Sequence, residues 1–304
     1  MKVLARKNIW FTFSGLLCLA SILLWISIGF RYGIDFTGGS LIEIEYQNMP
    51  RPLQADVAKS LEGFDFSNQL SAVGEDGYIA RFKELSEAEH QDVLKALNTT
   101  VDATNSDAKL IEKRFDSIGP VVGQELKQKS VLVMILVLLG IIFYIAYSFR
   151  KVSYPVSSWK YGLAAIISLF HDVLITIGIF ILLGHYLHWE IGTSFVAAIM
   201  TVLGYSVNDT IVVFDRIREN LHKYEGSFES IVERSINETI RRSINTSLTV
   251  ILALAAVYFF GGESIKPFAL PLLVGVIFGT YSSIFLASPL LVLWHNLGNK
   301  LKSK

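Results

Sequence analysis

Six near-continuous apolar stretches constrain this chain more than any other feature. They run from Ile9 to Phe30, Ser130 to Phe149, Tyr161 to Leu183, Thr193 to Phe214, Arg242 to Phe260 and Phe268 to Trp294. A helix rises about 1.5 Å per residue, so about 20 apolar residues cross the roughly 30 Å hydrocarbon layer of a bilayer; core helices of soluble domains are shorter and amphipathic. Composition agrees, because 52% of the 304 residues are hydrophobic and 18% charged, against about 25% charged in a soluble domain. The chain therefore reads as an α-helical membrane protein with six transmembrane helices. Phe30-Arg31-Tyr32 follows the first stretch where a cleavage site would need small residues, so that stretch is expected to remain as an anchor.

Lys and Arg in short connections set the orientation of such a chain. Lys2, Arg6 and Lys7 precede the first span, Arg150, Lys151 and Lys160 join the second to the third, and Lys300, Lys302 and Lys304 close the chain. Arg216, Arg218, Lys223, Arg234, Arg241 and Arg242 join the fourth to the fifth, whereas residues 184–192 carry no basic residue and 261–267 only Lys266. Both termini are thus expected in the cytoplasm. Lys+Arg and Asp+Glu are 27 each, so no basic excess points to nucleic acid. One cysteine, Cys18, cannot form an internal disulfide, and no Cys/His spacing suggests a structural metal. No phosphate-binding GxxxxGK[ST] run occurs, and neither enzymatic activity nor a cofactor is expected.

Three segments follow: 1–30 with the first span, 31–129 as the one soluble-looking stretch, and 130–304 as a five-helix bundle. Within 31–129, Ile42, Ile44 and Tyr46 alternate with Glu43 and Glu45, the period of a half-buried strand. Leu53, Val57 and Leu61 mark a helix, Gly74-Glu75-Asp76-Gly77 a hairpin turn between strands 69–73 and 78–82, and Ser86-Glu87-Ala88-Glu89 a capping box opening a second helix. Lys109 to Phe115 closes the set. The order β-α-β-β-α-β predicts a ferredoxin-like α+β domain on the outer, periplasmic face, serving binding or mechanical work.

Polar residues at membrane depth need a reason, since a carboxylate at a helix centre costs about 2.5–3.5 kcal/mol on insertion. Asp209, beside Asn208, lies deep in the fourth span. The purely apolar part of the fifth span is too short to cross, so it must draw in Ser243 and Arg242, and an Asp209–Arg242 ion pair is expected. His171 and Asp172 fall near the middle of the third span; adjacent residues diverge by about 100°, so one is expected to line a water path and the other to brace a neighbouring helix. His185, His188 and Glu190 lie among Tyr186 and Trp189, which reads as an aromatic interface belt rather than a metal site. Gly275, Gly279 and Ser283, spaced by four, predict a close helix contact, and Pro271 and Pro289 predict kinks.

Taken together, Gly33-Ile34-Asp35-Phe36-Thr37-Gly38-Gly39, His171-Asp172-Val173, the run from Gly204 to Asn220 containing Val207-Asn208-Asp209, and Arg242 to Ser247 resemble the SecD/SecF family of the bacterial protein-export machinery. That resemblance covers nearly the whole chain. It implies a cell inner membrane location, SecD as partner, and a twelve-span unit similar to the resistance-nodulation-division exporters. It further implies assistance to the SecYEG translocon after the SecA motor, with YajC nearby, in drawing unfolded polypeptide outward by proton flow. Asp209 and Arg242 are the positions it implicates in proton passage. Two other classes remain open on the residues: half of a small-molecule exporter, or a scaffold that conducts no protons.

Overall fold

The computed structural model describes residues 2–302 except 65, 151–154 and 188. Lys151, His188 and Lys304 of the sequence analysis lie outside the described residues. In chain order the elements are α1 (Lys7–Ser27), α2 (Ile34–Thr37), β1 (Gly39–Gln47), α3 (Gln54–Ser60), β2 (Phe66–Val73), β3 (Gly77–Phe82), α4 (Glu87–Asn98) and β4 (Lys109–Ile118). Then come α5 (Pro120–Ser148), α6 (Ser158–Leu187), α7 (Thr193–Lys223), α8 (Phe228–Phe260), α9 (Lys266–Ser282), a π turn (Ser283–Ala287) and α10 (Ser288–Lys302). The chain divides into two compact units, one of Arg31–Val131 with Glu190–Thr193, the other of the remaining residues.

The smaller unit is built on a four-stranded antiparallel sheet of order β2-β3-β1-β4. Alternation in β1 does what its period requires: Ile42, Ile44 and Tyr46 are at most 1% exposed, and Glu43 and Glu45 face outward. The inward residues meet Val57 and Leu61 from the α3 region, Val93 and Leu97 of α4, and Ala80 and Phe82 of β3 in one apolar core. The capping box forms as expected, with the Ser86 amide donating to Glu89 Oε2 at 2.8 Å and the Glu89 amide donating to Ser86 Oγ at 3.4 Å. The Ser86 amide and then the Ser86 hydroxyl, both donating to it, hold the Glu89 carboxyl below the ordinary carboxylate range. Its contribution is present above the ordinary value and fades as pH falls through the lowered one.

The 190–193 segment is stitched into this unit. Ile191 pairs with Tyr32, Arg81 and Glu190 form an ion pair with Nε 2.7 Å from Oε1, and Asp35 Oδ2 accepts from both the Thr193 amide and the Thr193 hydroxyl at 2.7 Å. Asp35 therefore satisfies the Thr193 amide, which would otherwise lack a partner. Immediately after α2 the chain turns through Gly38 and Gly39, whose φ values of 73° and 121° favour glycine.

Among the described residues six helical segments are long and apolar enough to span a membrane: Leu4–Ser27, Pro120–Ser148, Ser158–Leu187, Thr193–Lys223, Phe228–Phe260 and Lys266–Leu297. The helices α6, α7 and α9 supply most of the buried positions, while α1, α5 and α8 leave their apolar surfaces open. Exposed Leu, Ile and Phe along those three helices are what a lipid contact needs.

Several helices outrun the apolar stretches that announce them. The basic connection between the fourth and fifth spans is largely helix, because α7 continues to Lys223 and α8 starts at Phe228 behind the Ser227 cap. Its inward stripe Ile231, Val232, Ser235, Ile236 and Thr239 is buried, and its outer face carries Arg234 and Glu238 bridging to Arg216. An amphipathic helix needs only one apolar stripe, which a scan for continuous apolar runs passes over. At the N-terminal end, the Glu233 carboxylate of α8 accepts from the Val3 and Leu4 amides at 2.6 and 2.8 Å and satisfies donors that would otherwise be left over.

Candidate functional site

Two buried carboxylates sit where α6, α7, α8 and the α9–π turn meet. Asp209, 16 residues after the start of α7, is 8% exposed, which places it about 24 Å along the helix axis. Ser243 of α8 donates to its Oδ1 and Ser283, the first residue of the π turn, donates to its Oδ2, both at 2.7 Å. Asp172 of α6 is fully buried; Ser206 of α7 and Ser282 of α9 donate to its Oδ2 at 2.5 and 2.7 Å, and His171 Nδ1 stands 2.8 Å from its Oδ1. Two pairs of neighbours therefore link the centres: Ser282 and Ser283 are consecutive, and Ser206 precedes Asp209 by three residues, less than one turn.

The small-residue stripe on α9 allows this approach. A Cβ added at Gly275 would lie 2.2 Å from Val202 Cγ2, and one at Gly279 would lie 3.0 Å from Ser206 Cβ. Gly275 and Gly279 thus face Val202 and Ser206 at the same four-residue spacing, and Ser283, one turn further on, reaches Asp209, as close helix contact requires. Replacing Gly279 by Val is expected to push α9 from α7 and lengthen the Ser283–Asp209 and Ser282–Asp172 hydrogen bonds. The check is thermal unfolding in detergent: a loss of about 1–3 kcal/mol is expected from overpacking.

The expected Asp209–Arg242 ion pair is not formed. Arg242 is exposed, and its neighbour Ser243 is the α8 residue that reaches Asp209. The reason is helical phase: Ser243 and Ser247, one turn apart, point inward, where Ser247 also meets Tyr205 and Thr280, and this turns Arg242 about 100° away. Asn208 is likewise exposed, on the outer side of α7. His171 and Asp172 are hydrogen-bonded to one another in a buried pair, and Asp172 also ties α6 to α7 and α9 through Ser206 and Ser282.

Four serines at positions 206, 243, 282 and 283 escaped the sequence analysis as functional residues. The available signal was their placement beside Asp or in the small-residue stripe of apolar helices. A serine hydroxyl donates to an ionised carboxylate and accepts from the protonated acid. The cradle around each aspartate can therefore hydrogen-bond to either protonation state, as acceptor or as donor. Among the described residues no cation pairs with Asp209, and its side-chain partners are the two serine hydroxyls.

Comparison with known proteins extends the geometry. Residues 97–297 match the family model described as protein export membrane protein SecD/SecF, C-terminal, and residues 24–48 match the SecD/SecF GG motif. A protein translocase subunit SecF from Thermobaculum terrenum is 44% identical over 283 residues, covering 88% of this chain and 86% of that protein. A protein translocase subunit SecDF from Brucella abortus is 38% identical over 284 residues, 92% of this chain but 35% of its own length. The crystal structure of SecDF, a translocon-associated membrane protein from Thermus thermophilus, matches with a TM-score of 0.82 at 30% identity, over 97% of this chain and 39% of that one.

Proposed function

Because the chain belongs to the SecD/SecF family of protein-export membrane proteins, we propose that it is an auxiliary Sec translocase subunit that works with SecD and draws on the proton motive force. The observation that carries the proton-coupled part is Asp209, buried among apolar helices with only hydroxyl partners. Nothing in a passive scaffold requires a carboxylate there, given its insertion cost of about 2.5–3.5 kcal/mol. The fused SecDF relatives support SecD as the partner: this chain aligns with about a third of that length, and the remainder leaves room for one.

In this reading the membrane is the cell inner membrane, the fifteen basic residues keep both termini cytoplasmic, and the ferredoxin-like unit of Arg31–Val131 faces the periplasm. Its strand order β2-β3-β1-β4 with two crossing helices supports that fold. Protons reach Asp209 through water between spans, and each charge moved across the field supplies about 2.3 kcal/mol per 100 mV. Turning α8 by one residue, about 100°, would exchange Ser243 for Arg242 at Asp209. Arg242 is thereby assigned to the deprotonated state, and its arrival and departure move the helices. The outer unit holds emerging unfolded polypeptide weakly, downstream of SecYEG and SecA and alongside YajC.

The test uses vesicles holding the translocon and SecD with or without this chain. Export should quicken with the chain only while a proton gradient stands, and collapse of the gradient by an uncoupler should erase the gain. An equal gain with the gradient collapsed would refute proton coupling and favour the scaffold.

A further inference from the structure

The His171–Asp172 pair has a feature that a structural brace does not need. His171 is 3% exposed, its Nε2 is buried with no hydrogen-bond partner, and the rings of Phe278 and Tyr281 lie beside it, their centroids 6.5 and 6.0 Å from that of the imidazole. With Asp172 ionised, Nδ1 must carry the hydrogen, because a lone pair set 2.8 Å from a carboxylate oxygen would repel it. The other nitrogen is then an empty, buried base. The alternative tautomer would leave an unsatisfied N–H in an apolar wall and also lose the bond to Asp172.

We propose that His171 Nε2 is a second proton-loading position, separate from Asp209, and that the serine pair Ser282–Ser283 couples the two. Loading forms an N–H bond at Nε2 with a proton taken from water, and the His171–Asp172 pair changes in net charge from −1 to 0. Release breaks that bond and returns the proton to water. The groups facing the pair are Cys18 of α1, the helix packed against α6, Tyr281 of α9, whose hydroxyl is engaged by Ser14 and the Trp10 carbonyl, and Asp209 across α7. Among the described residues no Lys or Arg pairs with Asp172, so the proton on His171 is the charge that can balance it.

Coupling follows from covalent adjacency. Ser282 Oγ holds Asp172 and Ser283 Oγ holds Asp209, at the point where α9 opens into the π turn. A π turn carries one residue more per hydrogen-bonded ring than an α turn and is readily reset. A proton on His171 draws the Asp172 charge toward the imidazolium and weakens its hold on Ser282, a proton on Asp209 weakens its hold on Ser283, and in either case the adjacent serine moves as well. Ser206 on α7 gives a second link, since it holds Asp172 three residues before Asp209.

This inference deepens the proton-coupled reading of the same helices, and it is tested in a way that separates the two. The full chain, labelled with 15N-histidine, is placed in bilayers and followed by NMR as pH is lowered. The His171 signal is assigned by its loss in His171→Gln. The expected result is that Nε2 passes from unprotonated to protonated, with a midpoint that shifts in Asp209→Asn and in Ser282→Ala. Cys18, the single cysteine, supplies an isolated S–H infrared band that should move with the same midpoint. An imidazole that keeps one charge state over the whole range in which the fold persists overturns the proposal. So does a midpoint indifferent to Asp209→Asn, as regards the coupling. In the vesicle assay, His171→Gln should shift the pH profile of gradient-driven export; an unchanged profile with full rate marks the pair as a brace and refutes it. Titration of His171 in a chain whose export gain survives gradient collapse would leave this site standing and remove the proposed function.

Discussion

Asp209→Asn is expected to abolish the gradient-driven gain in export while assembly with SecD stays intact. The substitution removes the titrating oxygen and little else. Asparagine is the same size, its carbonyl oxygen can accept from Ser243 or Ser283, and its amide can donate to the other hydroxyl, so the α7–α8–π-turn contact persists. No proton can be loaded, and none of the about 2.3 kcal/mol per 100 mV available from the field is captured at this position. Initial export rates in vesicles, with and without an imposed gradient, measure the effect, and co-purification of SecD checks assembly. Full gradient stimulation with asparagine in place would refute proton coupling through Asp209. Asp209→Glu is a useful companion, because it keeps the titrating group while pressing one extra methylene against Ser243 and Ser283; a partial gain is expected.

Gly39→Ala is expected to unfold the smaller unit locally, by about 3 kcal/mol or more once backbone strain and overlap combine. Gly39 has φ of 121°, and a Cβ there would lie 2.6 Å from the Phe82 carbonyl oxygen. That oxygen belongs to backbone in β3 at the first step of the β1–β3 ladder, where Ser40 stands opposite Phe82. It cannot retreat without opening the pairing that orders the sheet. Gly38→Ala meets the same difficulty against Pro120 Cα at 2.6 Å with φ of 73°, so either replacement should lower membrane accumulation and expose 31–131 to protease. Gly63→Ala, where nothing lies within 4 Å, is the control expected to behave as wild type. A Gly39→Ala protein as protease-resistant as wild type would contradict the packing described for this turn. A loss of this size matters because whole-domain stabilities are only about 5–15 kcal/mol.

The two sites differ in how much of them could be read in advance. The spans, the alternation of β1, the Ser86–Glu89 box and the Gly275–Gly279–Ser283 stripe depend on residues close in the chain, and each formed where its pattern predicted. Asp209 and Asp172 stood out because a carboxylate in an apolar run is costly wherever the helix goes. Their partners did not. Arg242 is the residue that charge complementarity selects for Asp209, but Ser243 holds the position, a difference of one residue and about 100° of helix phase.

Hydropathy and local periodicity were therefore enough to establish the apolar helices, the order of strands and helices in the smaller unit, and the two carboxylates that need explaining. These are local properties: they follow from transfer free energy and backbone geometry over at most about 20 residues. Packing decided the rest. It turned Arg242 and Asn208 outward, joined His171 to Asp172, and brought Ser206, Ser243, Ser282 and Ser283 from α7, α8, α9 and the π turn onto two buried acids. The rotation of one helix against another is set by which side chains interdigitate, and glycines at 275 and 279 set it here by letting α9 approach α7 closely enough for a serine to reach an aspartate.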